Sequence, residues 1–202
     1  MPRNMPDSRC RFRLVVVGVS TGGVQALKLV LGHLPRDFPL PILIVQHIKP
    51  DAGSGLAKLL DELCPIKVKE AEEEERLAPG CAYLAPANYH LLVERDETLS
   101  LSGEPLVNFA RPSVDVLFES AAESFDSAVI GVILTGAGYD GGKGLASIKG
   151  KGGVAIVQDP ADAEASSMPK HALSLISADH VVTLRQLPGL LLQLCGTATS
   201  VP

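Results

Sequence analysis

Four short apolar runs constrain this chain more than any other feature. They are Leu14-Val15-Val16-Val17, Ile42-Leu43-Ile44-Val45, Ala128 to Leu134, and Val154-Ala155-Ile156-Val157. None alternates with polar residues, as a strand with one wet face would, so each reads as a strand buried on both faces. Helix-spaced segments lie between and after them. Val24, Leu27, Leu31 and Leu34, with Ala26 and Val30, follow the first run and stop at Pro35. Gly55 to Leu63, a segment capped by Ser113 and running to Ser124, Gly142 to Lys149, a segment opened by Pro169, and Leu187 to Leu194 read as further helices. Buried strands alternating with helices imply an α/β fold: a doubly wound, mostly parallel sheet with helices on both faces. Shorter strands are expected at Ile66–Lys69, Tyr83-Leu84 and Val181-Val182. His90 to Glu94 and Thr98 to Leu101, joined by Arg95-Asp96-Glu97, predict a hairpin that adds an antiparallel edge.

The chain has 202 residues, which suits one domain. Residues 1–13 read as an N-terminal tail, 14–195 as the domain and 196–202 as a C-terminal tail. Apolar residues make up 46%, enough for a sizeable core, yet no run reaches the length of about 20 that a membrane span needs. The N-terminus lacks a signal-peptide pattern, so a cytoplasmic location is expected. A net charge of −5 argues against nucleic-acid or anionic-membrane partners. Cys10, Cys64, Cys81 and Cys195 are too scattered for a C-x-x-C site and read as free thiols, with no metal expected.

In a doubly wound sheet, functional loops gather beyond the carboxyl ends of the strands. Three loops follow from that rule. The first, Gly18-Val19-Ser20-Thr21-Gly22, is a G-x-S-x-G between strand and helix, resembling a nucleophile elbow near a helix N-terminus. Its plainer reading is a glycine turn whose Ser20 caps the helix. The second places His47 directly after a buried strand. The third, Leu134 to Gly142, holds Asp140 in a glycine-rich turn, where it could simply cap the following helix. Together Ser20, His47 and Asp140 supply a nucleophile, a general base and a carboxylate to orient the base, in a chain order different from that of α/β-hydrolases. A competing reading uses the same loop. Gly136-x-Gly138-x-x-Gly141 is a G-x-G-x-x-G after a strand and before a helix, with Asp159 where a ribose-binding acid would fall, and it would make the chain a dinucleotide-binding oxidoreductase. Asp140, a carboxylate inside the turn meant for pyrophosphate, opposes it.

Six ordered blocks carry a resemblance. They are Val17-Gly18-Val19-Ser20-Thr21-Gly22-Gly23, Val45-Gln46-His47-Ile48, Tyr83-Leu84-Ala85-Pro86 with His90, Arg111-Pro112-Ser113-Val114-Asp115, Leu134-Thr135-Gly136-x-Gly138-x-Asp140-Gly141, and Gln158-Asp159-Pro160 running to Ser167-Met168-Pro169. In these the chain resembles the catalytic domain of CheB-type chemotaxis protein-glutamate methylesterases. The resemblance implies Ser20, His47 and Asp140 as a catalytic triad and an α/β fold. It implies hydrolysis of glutamate γ-methyl esters on the cytoplasmic helices of chemoreceptors, with release of methanol, and deamidation of receptor glutamines. It implies no metal and no organic cofactor. The backbone N–H groups of Thr21 and Ala137 are the expected oxyanion hole, and Arg111 is expected either to bind receptor carboxylates or to pair with Asp115.

The chain departs from the family pattern in three places. Well-known members carry an N-terminal receiver domain of roughly 120 residues, and only about 13 residues precede the first strand here, so no receiver on this chain is expected. Ala137 stands where the family commonly has Met, which keeps a backbone donor and changes the pocket wall. The acidic run Glu72-Glu73-Glu74-Glu75 reads as a solvated loop.

Overall fold

The computed structural model describes residues 10–47 and 55–196. Residues 1–9, 48–54 and 197–202, which include most of both expected tails and the Ile48 of the His47 block, lie outside the described residues.

Seven parallel strands form the central sheet. In chain order they are β1 (Leu14–Val19), β2 (Ile42–Gln46), β3 (Lys67–Glu70), β4 (Cys81–Leu84), β7 (Val129–Ile133), β8 (Val154–Gln158) and β9 (His180–Val182). Across the sheet they run β3-β4-β2-β1-β7-β8-β9, and every pairing is parallel. All residues of β1, β2, β7 and β8 are buried, which is why their sequences show no alternation. The period of two is present even so, dividing side chains between two cores. Val15, Val17 and Val19 of β1 face one core together with helices α1 (Gly23–Gly32), α2 (Gly55–Leu63) and α6 (Leu187–Leu194). Leu14 and Val16 face the other, against α3 (Val114–Phe125), α4 (Gly142–Gly150) and α5 (Ser167–Leu175). Phe12, ahead of β1, is buried in the first core, and the Arg13 N–H donates to Ala128 O, so the chain packs on the domain before the sheet begins.

The remaining strands, β5 (His90–Val93) and β6 (Leu99–Ser102), make the expected antiparallel hairpin as a two-stranded sheet of its own. The hairpin does not extend the main sheet. Leu91, Val93 and Leu99 instead seat it on the second core, beside α3. The acidic run is likewise more than a solvated loop. Lys69 bonds Glu72 and Glu75 at 2.7 and 2.8 Å, and the Glu73 carboxylate accepts the Leu101 N–H, tying β3 to the hairpin. Among the described residues no helix is long and apolar enough to cross a membrane.

From β1 the chain winds one way through α1 to β2. From β7 it winds the other way through α4 to β8, on the opposite face. The carboxyl ends of β1 and β7 therefore flank the switch point, where connections diverge and a crevice opens.

Candidate active site

Strand register brings the first two residues together. Val19 pairs with Gln46 across β1 and β2, so Ser20 and His47, the next residue on each strand, leave the sheet side by side, roughly 4.8 Å apart in backbone. The His47 N–H donates to Val19 O at 3.0 Å, and the Ser20 N–H donates to Thr135 O at 2.9 Å, anchoring the serine to the loop after β7 as well. Gly22 then turns the chain into α1 at φ +79°, a backbone conformation that glycine adopts without strain. Gly22 occupies the N-cap position, and Ser20 is not a capping residue. Among the described residues its hydroxyl has no hydrogen-bond partner, and the side chain is half-buried at the crevice.

Asp140 approaches from the loop after β7. Its Oδ2 lies 2.8 Å from His47 Nε2. The carboxylate does not cap the helix that follows it. Oδ2 also accepts the Val114 N–H at 2.6 Å, and Oδ1 accepts the Asp115 N–H, the Ser113 hydroxyl and Asn108 Nδ2. Asp140 thus caps α3, and Ser113, expected to cap that helix with its own side chain, spends its hydroxyl on Asp140 instead. Burial alone would push the Asp140 carboxyl up. The bonds from His47, Asn108 and Val114 outweigh that and hold it below its usual value, so the group is anionic near neutrality. Facing an anion, His47 carries its proton on Nε2 and leaves the Nδ1 lone pair unused, an assignment that follows from the hydrogen-bond pattern.

Asp115, in the first turn of α3, returns the arrangement. Its Oδ1 accepts the Gly144 N–H of α4 at 2.7 Å, and its Oδ2 accepts Asn108 Nδ2 at 2.7 Å. Each helix is capped by a carboxylate from the other side of the α3–α4 contact, and Asn108 bridges the two acids. Burial pushes the Asp115 carboxyl up, against the Gly144 bond, and the nearby Asp140 charge adds to the rise. Sequence reasoning missed Asn108 altogether, since nothing in its local pattern distinguishes it from other loop residues. His90 is buried, with Nδ1 accepting the Ser113 N–H and Nε2 donating to Pro105 O, a structural role at the entrance to α3.

Of the other expected residues, Ala137 and Arg111 line the cavity beside His47 and Asp140, and Thr21 follows Ser20 outside that lining. Thr21 and Ala137 lie on the first and third loops, and among the described residues neither backbone N–H donates a hydrogen bond. Arg111, Asn108, Phe109, Ala137, Tyr139 and Asp140 surround a cavity of about 330 Å³ with His47 at its edge. Arg111 does not pair with Asp115. Its Nε and Nη2 donate to Asn88 Oδ1, and Nη1 donates to the carbonyls of Gly103 and Glu104, which leaves one guanidinium N–H uncommitted among the described residues.

The dinucleotide reading fails on these contacts. The N-terminus of α4, where pyrophosphate would sit, is already capped by the Asp115 carboxylate. Asp140 is committed to His47 and α3. Asp159 closes its own turn, with Oδ1 accepting the Ala161 N–H. Among the described residues no group of three His, Cys, Asp or Glu side chains is placed to hold a metal ion.

Known proteins share this architecture. The crystal structure of the Thermotoga maritima CheB methylesterase catalytic domain superposes with a TM-score of 0.87 at 38% identity, covering 91% of this chain and 98% of that one. A relative from Leptospira interrogans is 49% identical over 183 residues, spanning 91% of this chain and 95% of its own length. A protein-glutamate methylesterase/protein-glutamine glutaminase of Paraburkholderia xenovorans is 46% identical over 178 residues, 87% of this chain but 49% of that protein. The family model for CheB methylesterase matches residues 15–191. With the family matched across the central sheet, the hairpin and all three loops, this chain belongs to the CheB methylesterase family.

Proposed function

We propose that this chain is a serine hydrolase that removes γ-methyl esters from glutamate side chains on the cytoplasmic helices of methyl-accepting chemoreceptors, releasing methanol, and that it deamidates receptor glutamines at the same site. The observation that carries the reading is the 2.8 Å His47–Asp140 pair, with His47 at the end of the strand beside that of a serine whose hydroxyl has no competing partner among the described residues. His47 Nδ1 takes the Ser20 proton as Oγ attacks the ester carbonyl. The C=O π bond opens to a tetrahedral oxyanion, for which the Thr21 and Ala137 N–H groups, uncommitted among the described residues, are the donors of this reading; one such donor contributes about 2.7–4 kcal/mol. The imidazolium then protonates the departing methoxide, and methanol leaves an acyl-enzyme. Water attacks that ester with His47 again as base, regenerating Ser20 and the free carboxylate. With an amide in place of the ester the leaving group is ammonia and the sequence is otherwise the same. No step draws on a cofactor.

The test is covalent labelling. A serine-directed fluorophosphonate is expected to add once to the protein, and peptide mass mapping to place the adduct on Ser20. An adduct elsewhere, or none, overturns the nucleophile.

Arg111 joins this reading as a wall of the cleft whose free N–H meets a substrate carboxylate near the scissile ester. Arg111→Ala is expected to raise KM on methylated receptor several-fold and to affect a small methyl ester less. Equal losses on both substrates would assign Arg111 solely to bracing the 103–112 loop.

A further inference from the structure

Three buried polar side chains remain, Gln46, Thr135 and Gln158, and among the described residues only Gln46 keeps a buried atom with no hydrogen-bond partner. Gln46 ends β2, immediately before His47, and is 6% exposed. In a buried parallel strand flanked by Ile42-Leu43-Ile44-Val45, an apolar residue would fit the pattern of the sheet. Its Nε2 donates two hydrogen bonds, one to Ser20 O at 2.9 Å and one to His47 O at 3.0 Å. Those carbonyls belong to the nucleophile and the base of the reaction proposed above, on which this inference rests. Its Oε1 is buried and has no hydrogen-bond partner among the described residues. The space for that oxygen comes from Gly23, where a Cβ would lie 1.9 Å from it.

An orphaned buried acceptor destabilises a fold. Local packing gives little return for it, because an apolar side chain of the same length would fill the site without that orphan, at the loss of the donor to the His47 carbonyl. What Gln46 alone provides is a clamp across the gap where β1 and β2 stop hydrogen-bonding as a ladder. Beyond the His47 N–H to Val19 O bond, the two strands part, and the amide is the described link that joins the Ser20 and His47 backbones directly. We propose that Gln46 is a positioning residue of the triad: its side-chain amide holds the Ser20 and His47 backbones in the register that lets Oγ meet Nδ1.

Two substitutions test this, read by the rate of fluorophosphonate addition to Ser20, by kcat and KM on a small ester, and by the thermal midpoint. Gln46→Met keeps length and volume, removes both donors and removes the orphan. Loss of the orphan offsets loss of the donor to His47 O, so the thermal midpoint is expected to stay close to that of the unsubstituted protein while the labelling rate and kcat fall about 10- to 100-fold, the scale of a reacting pair displaced by about 1 Å, with KM little changed. Gln46→Glu replaces the donors with a carboxylate facing two carbonyl oxygens, and protonation restores one donor. Its residual activity is expected to peak at lower pH than that of the unsubstituted protein. Wild-type rates in Gln46→Met, or a rate and thermal midpoint that fall together in both variants with the pH optimum unmoved, would reduce Gln46 to ordinary packing and overturn the inference. Failure of the unsubstituted protein to label at Ser20 would overturn the nucleophile assignment and this inference with it.

Discussion

Ser20→Ala is expected to lower kcat for methanol release from methylated receptor by about 10⁴-fold or more, the scale seen when a triad nucleophile is removed, and to abolish fluorophosphonate labelling. The fold should not register the change. The Ser20 hydroxyl has no hydrogen-bond partner among the described residues, so its loss leaves no orphaned group behind. The bonds that hold this turn are made by the Ser20 backbone, to Thr135 O, from Gly23 N–H and from Gln46 Nε2, and alanine keeps all three. Stability is therefore expected to stay within about 0.5 kcal/mol, read as an unchanged thermal midpoint. Turnover near the wild-type rate would remove Ser20 from the reaction, and a large fall in midpoint would mean the hydroxyl braces the turn.

The parts of this site that were legible in the sequence are those set by backbone topology. Unalternating strands implied a parallel sheet, a parallel sheet implied loops gathered at one edge, and Ser20 and His47 each directly follow a buried run. Their adjacency then needs only that β1 and β2 be neighbours, and consecutive strands of one winding usually are. Asp140 was harder. It lies seven residues past Ile133, on a loop whose path local rules do not determine, and the expected capping of its own helix proved to be capping of α3. Ser113 shows the same failure: it holds the N-cap position, but the first N–H groups of α3 find a stronger acceptor than its oxygen in the Asp140 carboxylate, 27 residues away, to which its hydroxyl also donates. Turn chemistry is local, whereas the choice between two acceptors depends on which helices pack together. The hairpin makes a related point. Leu91, Val93 and Leu99 announced a buried face without saying whether a sheet edge or a helix would cover it. Gln46 did leave a signal, a polar residue closing an otherwise apolar buried run, and such a residue asks for partners that only the fold can name.

The crossed capping of α3 and α4 gives the second large effect, because Asp140 serves the base and the fold with the same two oxygens. Asp140→Asn is expected to lower kcat about 10⁴-fold, as the equivalent change does in serine proteases, where the imidazole takes the wrong tautomer. All five groups around the carboxylate donate to it: His47 Nε2, the Val114 and Asp115 N–H groups, the Ser113 hydroxyl and Asn108 Nδ2. An amide NH₂ must face donors in either orientation. If it faces His47, the ring must present a lone pair at Nε2 and a proton at Nδ1, and it can no longer accept from Ser20. If it faces the other way, the contacts to Asn108, Ser113 and Asp115 are disrupted. Either way α3 loses part of its cap, at a cost of about 0.5–2 kcal/mol, so this variant, unlike Ser20→Ala, should melt earlier at neutral pH. The sign of the pH dependence follows from the Asp140 carboxyl lying below its usual value in the folded protein. The unfolded chain takes up that proton first as pH falls, so the stability contributed by the ionised carboxylate is present above the unfolded value and is lost as pH drops through the lower, folded one. The difference in thermal midpoint between Asp140→Asn and the unsubstituted protein should accordingly be largest near neutrality and shrink below about pH 4. A gap that stays constant well below that pH would mean that Asp140 stabilises the α3–α4 contact by shape rather than by charge.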